Sequence, residues 1–338
     1  MSFESFILLS PSAFVIPTII THLDPTSETA EELDNPADLS WTHHLHLYAF
    51  PPFSAIRMPA LSSEPMPPPH TAVHIATLDL PRFHVDIMQN IPPPRLTIRT
   101  DPPPRHTIPA HPEHAPAPFQ PMPESGIIVM EVFCQLPDVP DPHYVICLLK
   151  STLLQYLPAP TSPLLFQAFP RPAPIVQWQT LAPRVRMFGP DLEPSCAYFT
   201  VSRSSYVLII ITAWVCYVYQ NRYIIPRTDD EDDHTYLRLY DFDPLRVRKE
   251  KCDRANKTEP ISPPPKRRSS STPTSPPLDG DRHGVHLVTV ETVLPGDHLL
   301  VGEVRTGRDL PYMYVEKVST ADVALLDGER VVAVEVSV

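Results

Sequence analysis

Tyr206–Tyr219, YVLIIITAWVCYVY, is the most apolar run in the chain, and its reading decides the fold. A membrane-spanning helix needs about 20 apolar residues. Here the charge-free window reaches only from Ser204 to Asn221, and its two ends are polar. Composition points the same way as length. Val207, Ile209, Ile210, Ile211, Thr212, Val215 and Val218 are β-branched, and Tyr206, Trp214, Tyr217 and Tyr219 are aromatic. These residue types suit a pleated, buried surface. Arg203 and Arg222 flank the run without the charge asymmetry that orients a span. The run is therefore read as one or two buried strands, with a single-pass anchor over 204–221 as the alternative.

The rest of the chain is short apolar runs separated by proline. Proline accounts for 47 of 338 residues and glycine for only 8. Proline lacks an N–H donor and fixes φ, which excludes it from helix interiors and central strands. Long-helix bundles are thereby excluded. Strand candidates are HHLHLYAF (43–50), TAVHIATLDL (71–80), LTIRT (96–100), GIIVMEVFC (126–134) and YVICLLK (144–150). They continue with RVRMF (184–188), CAYFTVS (196–202), TYLRLYDF (235–242), HLVTVETV (286–293) and YMYVEKV (312–318). GIIVMEVFC and YVICLLK are expected to pair as a hairpin across a long polar loop. STLLQYL (151–157) suits one or two helical turns. VALLDGERVVAVEV (323–336) is the cleanest hairpin, with its turn expected at Asp327-Gly328. The pattern is all-β, antiparallel, with long proline-rich loops: a sandwich, barrel or propeller.

Four regions are expected. Residues 1–40 show no clean period and are read as a poorly ordered N-terminal segment. Residues 41–255 form a β-rich domain. Residues 256–283 are a Ser/Pro linker, disordered by composition, and 284–338 supply C-terminal strands that pack on the β domain. The linker holds Ser262, Thr272 and Ser275, each before a proline, beside Lys266-Arg267-Arg268. These three are the candidate phosphorylation sites.

The formal charge is −12, the wrong sign for a phosphate-binding footprint, so no nucleic-acid partner is expected. The cysteines number five, an odd count without a CxxC pair, and read as reduced thiols rather than a disulfide or zinc framework. The N-terminus carries Glu4, Pro11 and Pro17 and lacks the basic start of a signal peptide. The expected location is cytoplasmic or nuclear, with a membrane as the alternative. His44 and His46 alternate onto one strand face and form a feasible ligand pair, but the sequence names no third ligand. His106, His111 and His114 lie in the proline-rich loop. No GxSxG, HExxH, P-loop or GxGxxG occurs. No metal, cofactor or catalytic residue is assigned, and an enzyme is not expected.

The order of segments resembles a family of F-box proteins from mushroom-forming fungi, in which the F-box precedes a β-propeller-like repeat region. TYLRLYDFDPLRVRK (235–249) resembles the family's "LRLLDFNPxxVRR" segment, and WQTLAPRVRMF (178–188) its "WxxWGPxxTRWF" signature. PESGIIVMEVFC (123–134) and HYVICLLKSTLLQYLP (143–158) are similar to its paired strands and following "hRxxLLxxLP" element. DLPYMYVEKV (309–318) and VALLDGERVVAV (323–334) resemble the closing strands, and HLYAFPP (46–52) and TAVHIATLDLPR (71–82) earlier ones. Leu181 and Ala182 replace the signature's second tryptophan and its glycine. Asp327-Gly328 stands where an acidic pair is usual. Residues 1–40 contain no "LPxELLLxIhxxL" F-box helix.

The resemblance implies a propeller-like strand meander, incomplete in this chain. In the family, the F-box docks the adaptor of a cullin ubiquitin ligase while the β region selects the substrate. The expected function is thus a non-enzymatic protein-interaction module, related to F-box substrate receptors, with an unknown protein partner. The alternatives are the single-pass membrane protein and a decayed family copy without function.

Overall fold

The computed structural model describes residues 6–23, 39–51, 72–84, 95–101, 126–134, 143–166, 172–189, 218–229, 234–257, 284–296, 300–319, 323–327 and 330–334. Along the chain come β1 (Ile7–Ser10), β2 (Ala13–Leu23), β3 (Leu39–Ala49), β4 (Val73–His84), β5 (Arg95–Thr100), β6 (Ile127–Phe133) and β7 (His143–Leu149). Then follow α1 (Lys150–Leu154), β8 (Ile175–Val176), α2 (Trp178–Leu181), β9 (Val185–Phe188), β10 (Val218–Tyr219), β11 (Arg222–Asp229) and β12 (His234–Asp241). The chain continues through α3 (Pro244–Lys257), β13 (His286–Val288), β14 (Thr292–Leu294), β15 (Val304–Thr306), β16 (Tyr312–Ser319), β17 (Val323–Asp327) and β18 (Arg330–Val334).

The chain is mostly β, built of several antiparallel sheets, and no propeller is seen among the described residues. The first sheet has the order β1-β2-β3-β4-β8, in which β8 alone runs parallel to its neighbour. The second sheet is β5-β6-β7-β9 and the third β10-β11-β12-β16-β13. Two further two-stranded pairs, β14-β15 and β17-β18, complete the set.

The second sheet sits between the other two because both of its faces are apolar. Ile128, Met130, Val132, Tyr144, Ile146, Leu148, Val185 and Met187 pack with Val15, Leu45, Leu47 and Leu78 of the first sheet. Ile127, Val129, Val145, Cys147 and Phe188 pack with Val218, Tyr223, Tyr240 and Tyr312 of the third. A strand buried on both faces has no polar alternation, and β6, IIVMEVF, reads accordingly. Segment 290–310 laces the layers together. Leu294, Leu300 and Val304 join the first core, and Val301 N–H donates to the Arg82 carbonyl of β4.

Three prolines lie inside strands, each where a missing donor is tolerated. Pro17 of β2 lies beyond Val15, the last residue of β2 that pairs with β1 among the described residues. Pro226 of β11 lies beyond Tyr223, where β10 stops pairing. Pro81 sits in a bulge, since β4 places Leu80 and Pro81 opposite the single residue His43 of β3.

Several expectations need correction. The N-terminal segment is not poorly ordered throughout, because Ile7–Ser10 and Ala13–Leu23 form β1 and β2. The alternation is hidden there because both faces are apolar: Val15 points into the core while Phe14 and Ile16 point outward. The chain also holds a real helix, α3. Asp243 caps it, its Oδ1 accepting the Leu245 N–H at 2.9 Å, and Pro244 takes the first helical position. In the C-terminal hairpin Asp327 pairs with Arg330, so the connection is Gly328-Glu329 rather than Asp327-Gly328. Residues 204–217, the 196–202 strand candidate and residues 258–283 lie outside the described residues. Among the described residues, no helix is long and apolar enough to cross a membrane.

Candidate functional site

Two constellations stand out, one on the outer face of the first sheet and one in the interior. The outer face is built by alternation. Leu45 and Leu47 of β3 point into the core, so His44, His46 and Tyr48 point away from it. Phe14 stacks on Tyr48 with ring centroids 5.1 Å apart, and Phe50 tilts onto Phe14 at 5.4 Å. Phe6 meets Phe14 edge-on at 6.5 Å. Phe6 is 58% exposed and Phe50 37% exposed, so this end of the face presents aromatic surface to solvent.

At its other end the face becomes imidazole. His74 of β4 stacks on Tyr48 at 4.8 Å. Its Nε2 lies 3.1 Å from His46 Nδ1. Thr77 Oγ1 lies 3.1 Å from His46 Nδ1 and 3.2 Å from His74 Nε2. The second nitrogen of His46 is held by Thr18 Oγ1 at 2.8 Å. His44 stacks on His46 at 6.2 Å, and its Nδ1 sits 2.9 Å from Asp79 Oδ1. Burial, then the neighbouring His74 and His44, push the His46 pKa down to about 4. Burial also lowers that of His74, opposed by a hydrogen bond with the Ala76 backbone. Both rings are therefore neutral at pH 7.

The expected pair His44 and His46 does share a face, but the closest ring to His46 is His74. That partner comes from a second bulge. Leu47 pairs with Ala76 and Tyr48 with His74, which leaves Ile75 as the extra residue. The bulge shifts strand parity and turns both His74 and Thr77 outward. Strand alternation alone does not reveal such a shift. Among the described residues, no group of three or more His, Cys, Asp and Glu side chains is placed to hold a metal. His106, His111 and His114, and the candidate phosphorylation sites Ser262, Thr272 and Ser275, lie outside the described residues.

The interior constellation centres on Arg186 of β9, which is 0% exposed. Its Nη1 donates to the Val290 carbonyl and to Thr292 Oγ1, each at 2.8 Å. Its Nη2 donates to the carbonyls of Gly307 at 2.6 Å and Leu310 at 2.8 Å. The guanidinium lies 5.1 Å from the Tyr312 ring centroid. Burial pulls its pKa down, and the attraction of Tyr312, Cys147 and Glu291 opposes this. The segment it grips is fixed by backbone bonds as well: Gly307 N–H donates to Ala182 O and Asp309 N–H to Pro183 O. Gly307 has φ +79°, and a Cβ there would lie 2.1 Å from Arg186 Cζ. Only glycine fits. Tyr312 continues into a ring cluster with Phe188, Tyr240 and Phe242. This constellation is a structural lock: both terminal nitrogens of Arg186 are spent on the chain itself, while its buried Nε has no hydrogen-bond partner among the described residues.

No family model, no curated protein and no solved structure matches this chain.

Proposed function

We propose that this chain is a non-enzymatic protein-interaction module whose scaffold is related to the substrate-recognition region of the F-box proteins of mushroom-forming fungi. The observation that carries the reading is the meeting of distant segments at Arg186. Ala182, Pro183, Arg186 and Phe188 belong to WQTLAPRVRMF. Leu310 and Tyr312 belong to DLPYMYVEKV, and Tyr240 and Phe242 to TYLRLYDFDPLRVRK. Three of the segments that resemble the family are far apart in sequence, yet they join in one packed cluster. The propeller-like arrangement and the link to substrate selection rest on the same resemblance.

Binding is assigned to the outer face of the first sheet. Phe6, Phe14, Tyr48 and Phe50 place aromatic area on a rigid β platform, and clustered exposed aromatics are the usual anchors of protein interfaces. Photo-crosslinking tests this. A crosslinker at Phe6 or Phe50 is expected to capture a discrete partner. The same group at Leu245, 75% exposed on α3, serves as the control and is expected to capture none. Equal capture from all three positions, or none from Phe6 and Phe50, contradicts the assignment. Co-purification with the adaptor of a cullin ubiquitin ligase is a separate question.

A further inference from the structure

We propose that β1 is a self-association edge, along which a second copy of this chain adds antiparallel to the first sheet. The inference goes beyond the face reading, because it engages the edge of the sheet and leaves the aromatic face open. The edge follows from hydrogen-bond parity. Phe50 N–H donates to the Ser12 carbonyl at 2.7 Å, so the even-numbered residues of β2 bond to β3, while Ala13 and Val15 turn toward β1. Ile7 stands opposite Val15 and therefore gives its own N–H and C=O to β2. Those of Phe6 and Leu8 point to the outer side, where no described strand pairs with β1.

The side chains make the same edge apolar. Leu8 lies opposite Phe14, Phe14 opposite Tyr48 and Tyr48 opposite His74, one row across four strands. At its β1 end, Leu8 is 41% exposed and Phe6 58% exposed. Open edges are normally guarded by charge, above all by lysine. Here no Asp, Glu, Lys or Arg occurs between Glu4 and Asp24, in a chain whose net charge is −12. That absence selects a second copy as the occupant, since an uncharged edge is where two acidic chains meet with least repulsion. The register is self-complementary as well. A twofold axis at Ile7 sets Phe6 of each copy opposite Leu8 of the other, apolar against apolar, with their free backbone groups facing one another. The row then runs unbroken across both first sheets. The bulge between Leu8 and Ser10 ends the pairing, so the contact is short and the dimer reversible.

The test is sedimentation velocity of the full-length chain over a concentration series. The mass is expected to rise with concentration from 38.0 kDa toward twice that value. Leu8→Pro removes an N–H that β2 does not use, and Leu8→Lys places a charge on the edge. Each substitution acts twice across the axis, and each is expected to weaken dimerisation by at least about tenfold. Val318→Lys, at a 45% exposed strand position of the third sheet, is expected to leave it unchanged. A wild-type chain that stays monomeric at every concentration overturns the proposal and means that the edge is left open or is covered by the chain's own segments. A dimer that survives in Leu8→Lys, with melting as in the wild type, overturns it too and places the contact elsewhere. If Leu8→Pro does not fold, Leu8→Lys, whose side chain points to solvent, decides the matter.

Discussion

The Arg186 lock and the outer face of the first sheet treat polar groups in opposite ways. At the lock, a guanidinium gives four hydrogen bonds to the protein itself and, fully buried, presents no surface to a partner. On the outer face, half-buried imidazoles and aromatic rings stack on one another, bond the hydroxyls of Thr18 and Thr77, and keep part of their surface in solvent. The lesson concerns division of labour. A buried charge satisfied by backbone carbonyls joins distant segments, and it does so at a high desolvation cost. A face whose groups stay partly in solvent pays less desolvation and remains available for binding.

The largest break in this contrast is Arg186→Met. It deletes the buried donor and strands the Val290, Gly307 and Leu310 carbonyls. A loss of about 3–5 kcal/mol is expected, since each stranded buried acceptor costs about 1–3 kcal/mol and removing the buried charge gives part of this back. Thermal melting reads it as a fall of more than roughly 6 °C. Gly307→Ala comes next. The new Cβ meets Arg186 Cζ at a position with φ +79°, and the expected loss is about 2–4 kcal/mol by denaturant unfolding. Asp243→Ala removes only the helix cap of α3, and about 1 kcal/mol is expected.

The smallest effect belongs to the outer face and depends on pH. His46 holds a pKa near 4 in the fold against 6.5 when unfolded. The unfolded chain therefore binds a proton that the folded chain refuses. The stability tied to neutral His46 is present above pH 6.5 and is lost as pH falls toward 4. Denaturant midpoints between pH 7 and 4.5 are expected to fall less steeply in His46→Gln than in the wild type.

Much of the β scaffold was legible from local pattern. β3, β4, β5, β6, β7, β9, β12 and β16 lie on runs that the sequence marks by alternation or unbroken apolarity. β1 and β2 were not legible, because apolar residues on both faces erase the period. α3 was legible in principle: Asp243-Pro244 is a helix start, hidden here by a strand reading that ran directly into it. The sites were the least legible. Arg186 sits in an ordinary alternating RVRMF, and its partners lie 104 to 124 residues downstream. The meeting of His46 with His74 needs the bulge at Ile75, which no residue type announces.

The central claim is that the fold is held by the lock while binding resides on the outer face. The most direct measurement is partner capture by the Phe50 crosslinker in a Phe14→Ser/Tyr48→Ser background, with melting recorded on the same preparation. The account predicts a melting temperature within a few degrees of wild type and loss of the captured partner. Undiminished capture by the well-folded double variant would contradict it.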